Sequence, residues 1–130
     1  MAFIDSDGAY RDGEISGFME APLDGNQHGY GVLVRSFSGS HDVEITDSEI
    51  SGFQKNGIDA RSLGGALSML IDGNAISGAG GTGVLAQNGI VLLGGVTGAV
   101  TGNTISAIGY AGTGTQATGL MLYNSGSAAP

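Results

Sequence analysis

The feature that most constrains the fold is a short pattern that the chain repeats four times. Each copy holds a polar turn, then an isoleucine followed by serine, and later a glycine that opens a stretch of alternating apolar residues. The isoleucines are Ile15, Ile50, Ile76 and Ile105, and the glycines are Gly31, Gly57, Gly89 and Gly119. The steps between the isoleucines are 35, 26 and 29 residues. A self-similar period in this range predicts a repeat architecture rather than a single globular core.

The residues around these anchors predict short strands separated by tight turns. After the glycine, the first and third positions are apolar, as in Val32 and Val34 of the first copy and Leu120 and Leu122 of the last. An alternation with a period of two places such residues on one face of a strand. Turn formers such as those at 72–74 precede each isoleucine. No stretch is long enough, with a 3.6-residue period, to predict a helix.

Strands this short bury an apolar face only when successive repeats coil on one another and stack like on like. The sequence therefore predicts an all-β protein, a right-handed parallel β-helix (solenoid) of about four coils, with the hand taken from the general preference of parallel crossovers. The isoleucines would form one row, and Asn74 and Asn103 would stack where their amides can hydrogen-bond. The predicted domain spans residues 1–130, complete or as a fragment of a longer solenoid. A β-sandwich, which the Gly- and Thr-rich composition also suits, is the alternative.

Two segments carry a resemblance to a known family. ITDSEISGFQKNGIDAR (45–61) and VTGNTISAIGYAG (100–112) resemble the parallel β-helix repeats of the pectate-lyase-like superfamily. That resemblance implies a polysaccharide-handling protein at the cell surface or outside the cell. The catalytic motifs of its lyases, hydrolases and epimerases have no residue-by-residue match in this sequence. No catalytic residue is assigned, and whether the chain is an enzyme is left open, since one scaffold carries many functions.

Charge and composition exclude several function classes. Four basic and twelve acidic side chains give a net charge of −8. Four basic residues cannot form the clustered surface that binds a nucleic acid duplex or an anionic membrane. Without cysteine, the chain has neither a disulfide framework nor a thiolate metal site. The N-terminal segment lacks the basic and apolar regions of a signal peptide, and no apolar run approaches the length of a membrane span.

One flank of the predicted helix is a candidate binding site for polysaccharide. Alternation places Arg35 and Arg61 on the outer face, one coil apart, with Asp59 between them. Two guanidiniums at strand spacing could bind the carboxylates of a uronate chain. The predicted ligand-binding residues are Arg35, Arg61, Asp59, Lys55, Tyr30 and His28. The alternative is an arginine pair whose mutual repulsion Asp59 relieves, and a chain of this net charge disfavours a polyanion unless a local basic patch or calcium intervenes.

Two further sites are predicted with less support from motifs. The outward residues of the last two coils, Val91, Leu93, Met121 and Tyr123, are expected to form an apolar patch that mediates homo-oligomerisation. The alternative is end-to-end association through unpaired strand edges, since neither end of the predicted solenoid has a cap. Separately, the acidic stretch Asp5–Glu14 has the composition of a calcium loop. Its spacing fits no EF-hand, so ordinary turn aspartates are the preferred interpretation and no cofactor is expected.

Two functions from different classes follow. The first is a non-catalytic or fragmentary module of a polysaccharide-handling protein, which binds glycan on the flank around Arg35, Asp59 and Arg61. The second is a structural, self-assembling solenoid segment, comparable to the shaft of an adhesin or tailspike. Binding to glycans that is lost with the arginines would favour the first, and concentration-dependent oligomers without ligand would favour the second.

Overall fold

The structure is a computed structural model and describes residues 1–124. These residues form thirteen short strands. The strands are β1 (Ala2–Ile4), β2 (Gly8–Arg11), β3 (Glu14–Ile15), β4 (Tyr30–Ser36), β5 (Ser40–Thr46), β6 (Glu49–Ser51), β7 (Asn56–Ser62), β8 (Ala66–Asp72), β9 (Ala75–Thr82), β10 (Asn88–Leu93), β11 (Thr97–Thr101), β12 (Thr104–Tyr110) and β13 (Thr118–Tyr123). Among the described residues there is no helix long and apolar enough to cross a membrane. The last part of the predicted domain, residues 125–130, lies outside the described range.

The strands wind into three parallel sheets. The first sheet has the order β1-β4-β7-β10-β13, the second β11-β8-β5-β2 and the third β12-β9-β6-β3. The chain thus makes four turns of a β-solenoid and adds β13 to the first sheet. This confirms the predicted all-β parallel solenoid of about four coils and excludes the sandwich alternative. Its right-handed winding stays a prediction. The strand β1, which the repeat pattern did not predict, pairs with β4.

The core includes the predicted rows of like side chains, together with buried residues of the second sheet such as Ile45 and Ile71. The row of isoleucines is in register across the third sheet, and Ile50 and Ile76 in its centre are 0% exposed. The second predicted row is in register across the first sheet and contains Val32, Ile58, Ile90 and Leu120. Burying an isoleucine of this kind stabilises the fold by about 1.5–3 kcal/mol. The rows therefore account for the stacking of coils whose loops differ in length.

In the first three copies of the repeat, at Gly31, Gly57 and Gly89, glycine is required by close approach inside the coil. A Cβ atom at Gly57 would lie 2.7 Å from Cγ2 of Ile76 and 2.7 Å from the carbonyl oxygen of Gly89. A Cβ atom at Gly89 would meet Ile105 in the same way, at 2.7 Å. All three distances are shorter than real Cβ contacts, so a larger residue at either glycine would force the neighbouring strands to shift.

The predicted stacking of turn amides is confirmed. Nδ2 of Asn74 donates to Oδ1 of Asn103 at 2.9 Å and to the carbonyl of Ile45 at 2.8 Å. The backbone N–H of Ser48, one coil earlier, donates to Oδ1 of Asn74 at 3.1 Å. Asn74 and Ser48 are both buried, so these bonds satisfy polar groups that water cannot reach.

The loops between the third and first sheets are held by two buried glutamines. Gln54 accepts the N–H of Glu20 at 2.9 Å and donates to the carbonyl of Asp24 at 2.9 Å, which fixes the long loop at 16–29. Gln87 donates to the carbonyl of Phe53 at 2.8 Å. The segment at 83–86 is a loop that buries Leu85.

Candidate functional site

Asp59 joins the two arginines of the predicted flank. Arg35 and Arg61 are register neighbours on β4 and β7, and the Asp59 side chain beside them is 0% exposed. Arg61 donates through Nε and Nη2 to the two carboxylate oxygens, at 2.8 and 2.9 Å. Nη1 of Arg35 lies 2.7 Å from Oδ1 of Asp59 and also donates to the carbonyl of Asp59 at 2.9 Å. This contact agrees with the alternative interpretation of the sequence, in which Asp59 relieves the repulsion between Arg35 and Arg61.

The same carboxylate ends a chain of hydrogen bonds that runs across the sheet. The N–H of Thr118 donates to Oδ1 of Asn88 at 3.2 Å, and Nδ2 of Asn88 donates to Oδ1 of Asn56 at 2.9 Å. Nδ2 of Asn56 then donates to Oδ2 of Asp59 at 2.6 Å. Because Asn56 and Asn88 are 3% and 6% exposed, these bonds orient a carboxylate that is itself cut off from water. This second ladder of amide side chains was not predicted, although Asn-Gly recurs at equivalent positions, 56–57 and 88–89, and indicates it.

The remaining residues of the predicted site, Tyr30, Lys55 and His28, lie in three different surroundings. The guanidinium carbon of Arg35 lies 5.9 Å from the centre of the Tyr30 ring, within the range of a cation–π contact. Nζ of Lys55 donates to the carbonyl of Ala86 at 2.6 Å, and burial lowers the pKa of Lys55 below its usual value. His28 lies in the exposed loop at 16–29. The structure therefore brings Arg35, Asp59, Arg61 and Tyr30 together and directs Lys55 to a neighbouring loop.

The flank carries little freely exposed positive charge. Two guanidiniums and one carboxylate leave a net charge of +1, and the side chains of Arg35 and Arg61 are 12% and 34% exposed. Hydrogen bonding to Asp59 raises the pKa of Arg61 above its usual value. Arg61 uses Nε and Nη2 on Asp59, so its Nη1 is the group through which an anion would approach this flank.

The predicted apolar patch is only partly exposed. Tyr123 is 65% exposed, and Leu93 and Met121 are half-buried. Val91 differs from the expectation, because it is 3% exposed and so does not belong to an exposed patch. It stands between Asp59 and Met121 in register. Neighbouring strands lie about 4.8 Å apart. At this distance the side chains of Asp59 and Met121 cover that of Val91.

The N-terminal end of the solenoid, which comprises β1, β2 and β3, is closed by its own side chains. Phe3 and Tyr10 are half-buried and pack against the hydrophobic core. Their side chains lie over Gly8 and Gly13, where an added Cβ atom would overlap them. The hydroxyl of Tyr10 donates to the carbonyl of Glu14 at 3.0 Å. Beneath this cover Ile15, the first member of its row, is only 6% exposed.

The aspartates of this end cap the next coil. Oδ1 of Asp5 accepts the N–H groups of Phe37 and Ser38 at 2.7 and 3.1 Å, and these bonds lower the pKa of Asp5. Oδ1 of Asp7 accepts the N–H of Asp42 at 2.9 Å. Within residues 1–124, no three His, Asp or Glu side chains are grouped so that they could hold a metal ion.

The C-terminal end, which comprises β11, β12 and β13, is open along β13, whereas Val100 on β11 and Ile105 on β12 are half-buried against the core. Leu120 and Leu122 are 41% and 59% exposed, although Ile90 and Leu92, their register neighbours on β10, are 0% and 5% exposed. Among the described strands none pairs with the outer edge of β13. This end therefore presents core-type side chains together with an unpaired strand edge.

Charged residues are also distributed unevenly between the two ends of the chain. Every Asp, Glu, Lys, Arg and His lies at or before position 72, and no ionisable side chain of these types follows Asp72. The C-terminal end is consequently built from apolar residues, tyrosine, glycine, serine, threonine and amide residues alone.

Comparison with models of protein families, with curated proteins and with solved structures finds no match to this chain.

Proposed function

We propose that this chain is a structural β-solenoid module that self-associates through its C-terminal end. The observation that carries the proposal is the exposure of Leu120 and Leu122 at the unpaired edge of β13. Exposed edges with apolar side chains are the surfaces on which strands from other chains pair. Soluble proteins normally protect such edges with charge or with short strands, and neither protection is present on β13.

Two kinds of interaction would favour association there. Covering the two leucines removes apolar surface from water, worth about 25 cal/mol for each Å². Pairing the strand edge gives its N–H and C=O groups protein partners in place of water. Because no Asp, Glu, Lys, Arg or His side chain lies in this end, local like-charge repulsion is weaker there than at the acidic N-terminal end.

The arginine flank supports this function less directly. Asp59 occupies both guanidiniums, and Lys55 is bonded to the carbonyl of Ala86. These contacts link β4 to β7 and β7 to the loop before β10, so they stabilise the stacking of coils. In a solenoid each repeat contacts only its neighbours, so such cross-coil links add to the stability of the whole.

Sedimentation of the intact chain over roughly 1–100 µM, which brackets affinities of about 6–8 kcal/mol, tests the proposal. We expect the wild type to form concentration-dependent oligomers without ligand. Leu122→Lys should return it to monomer, because an ammonium group would be buried at the contact. Leu93→Lys is the matched control, since it makes the same change on the flank, and it should leave association intact.

A wild type that stays monomeric over this range would contradict the proposal. Dissociation by Leu93→Lys but not by Leu122→Lys would instead assign the contact to the flank predicted from Val91, Leu93, Met121 and Tyr123. Circular dichroism of both variants controls for folding, and Leu122 is exposed enough that its replacement should leave the fold unchanged.

The second candidate function is glycan binding at the arginine flank of an extracellular protein of the pectate-lyase-like superfamily. What favours it is that three of the four basic residues, Arg35, Lys55 and Arg61, are on or beside β4 and β7. Binding to a glycan array that Arg61→Gln abolishes, in a variant with an unchanged unfolding curve, would support it. Wild-type protein that binds no acidic glycan would eliminate it.

A further inference from the structure

We infer that the partner at the C-terminal end is a second copy of this chain, joined tail to tail by antiparallel pairing of β13 with its counterpart. The inference rests on the proposed function and specifies its partner and geometry. It depends on three observations: which backbone groups of β13 are free, how the two ends differ, and where charge is located.

The free backbone groups of β13 follow from its pairing with β10. The carbonyl of Tyr123 accepts the N–H of Gly94 at 3.1 Å, so the polar groups of Tyr123 face β10. The equivalent strand β4 behaves alike, since the N–H of Leu33, the counterpart of Met121, donates back to Met1 at 2.9 Å. Backbone groups alternate in direction along a strand. Counted back from Tyr123, Leu122 and Leu120 therefore direct their N–H and C=O groups to the open side. The N–H of Thr118 donates to the carbonyl of Gln87 at 3.3 Å, so this alternation begins after Thr118.

This pattern is self-complementary about a twofold axis through Met121. In an antiparallel pair centred there, Leu120 lies opposite Leu122 of the second copy, and the two exchange both hydrogen bonds. Met121 lies opposite its own counterpart as a non-hydrogen-bonded pair, at a Cα separation of about 4.5 Å. The exposed leucines of both copies then meet at the junction of the two cores. Such an isologous contact closes after two subunits.

The N-terminal end lacks the properties of a partner surface. Its strand β1 has three residues and β3 has two, and Phe3 and Tyr10 already cover the core. Asp5, Asp7 and other acidic residues surround it. Short strands and charges are the devices that keep an edge from pairing. Among the described residues, the uncharged C-terminal end of a second copy is the surface that matches.

Single-cysteine variants of the full chain test this geometry, because the natural sequence contains no cysteine. Met121→Cys should form a disulfide-linked dimer under mild oxidation, since both thiols lie within disulfide reach. Tyr123→Cys is the control for exposure: residue 123 is the more exposed, yet its two copies would lie about 13 Å apart along the strands, from a rise of ~3.4 Å per residue. Met121→Cys should therefore cross-link at least about tenfold faster than Tyr123→Cys, because each thiol introduced at position 121 would meet the other at an effective concentration of about millimolar.

Ala2→Cys separates head-to-tail stacking from tail-to-tail pairing. Residue 2 occupies the same outward column as Met121, at the opposite end of the first sheet. Mixed disulfides between Ala2→Cys and Met121→Cys chains would overturn the inference in favour of head-to-tail stacking. Equal cross-linking of Met121→Cys and Tyr123→Cys would overturn the proposed register. Oligomers in sedimentation without the Met121→Cys cross-link would overturn the geometry and leave the proposed function standing, whereas a monomeric wild type would overturn both.

Discussion

The two ends of the solenoid bury the same rows of side chains to different extents. Ile15 and Ile105 are the outermost members of one row, but Ile15 is 6% exposed and Ile105 is half-buried. In the first sheet, Phe3 is half-buried at the N-terminal end, while Leu122 is 59% exposed at the C-terminal end. The difference lies in what covers the last coil, because each inner coil is covered by the next. At the N-terminal end Phe3 and Tyr10 act as that cover, whereas at the C-terminal end, within residues 1–124, Leu120 and Leu122 of β13 stay exposed although Ile105 is half-buried.

Charge reinforces this contrast. The N-terminal end uses Asp5 and Asp7 to bind backbone N–H groups of the second coil, so its acidic residues both cap turns and repel other edges. The C-terminal end has no charged residue. A closed, charged end and an open, neutral end give the solenoid a direction, and this direction is the basis of the predictions that follow.

The largest expected effect compares the centre of the isoleucine row with its open end. Ile76→Ala should destabilise the fold by on the order of 2–5 kcal/mol, because it leaves a cavity between coils that cannot close. Ile105→Ala should cost about 1–2 kcal/mol, since half-buried side-chain atoms already contact water. Urea unfolding at low protein concentration, with unchanged slopes, measures both values. Equal losses would mean that the C-terminal end is covered like the centre.

A smaller effect compares the covers of the two ends directly. Phe3→Ala should cost about 2 kcal/mol, roughly half of the value for a fully buried phenylalanine, because its ring lies over Gly8 and the core. Leu122→Ala should cost less than about 0.5 kcal/mol in the monomer, as exposed positions do. Thermal unfolding of both variants at low concentration gives the comparison. A larger loss for Leu122→Ala would reverse the assignment of closed and open ends.

The smallest effect is the pH dependence of the N-terminal caps. The N–H groups of Phe37 and Ser38 hold the pKa of Asp5 below its ordinary value of 3.8. The charged carboxylate therefore contributes stability that is complete above that value and is lost as the pH falls through the lower pKa of the folded state. Asp5→Asn removes the charge and suits the positive φ of this residue, +44°.

The measurement for Asp5 is the unfolding temperature of wild type and Asp5→Asn between neutral pH and strongly acidic pH. The wild type should be the more stable at neutral pH, and the difference should shrink below about pH 4. Glu20→Gln, an exposed change in the loop at 16–29, is the control for general charge effects and should give no such convergence. A gap between wild type and Asp5→Asn that is constant with pH would contradict the capping role.

The stacking of the coils could be predicted from the sequence because their rows of side chains repeat. The isoleucines and the Asn74–Asn103 pair recur at equivalent positions, and stacking requires like residues at equivalent positions. The same register correctly brought Arg35, Asp59 and Arg61 together. It could not predict β1, because that strand belongs to a first coil whose turn and loop lengths differ from those of the later copies.

The repeat pattern could not predict the contacts made by the variable loops, or those of side chains that have several possible partners. Lys55 bonds to Ala86 in a loop without a counterpart in the other coils. The exposure of Val91 was overestimated because alternation gives direction on a strand but not the length of neighbouring side chains. The binding and association roles of these residues stay predictions, since they depend on molecules outside a single chain.

Hydrogen exchange of the unmodified chain at two protein concentrations tests the contrast between the ends most directly. At high concentration, peptides that contain β13 should exchange more slowly than at low concentration, because Leu120 and Leu122 would donate their N–H groups to a second copy. Peptides from β1 and β2 should exchange at the same rate at both concentrations. Protection that rises with concentration at β1 and β2, or at neither end, would contradict the account.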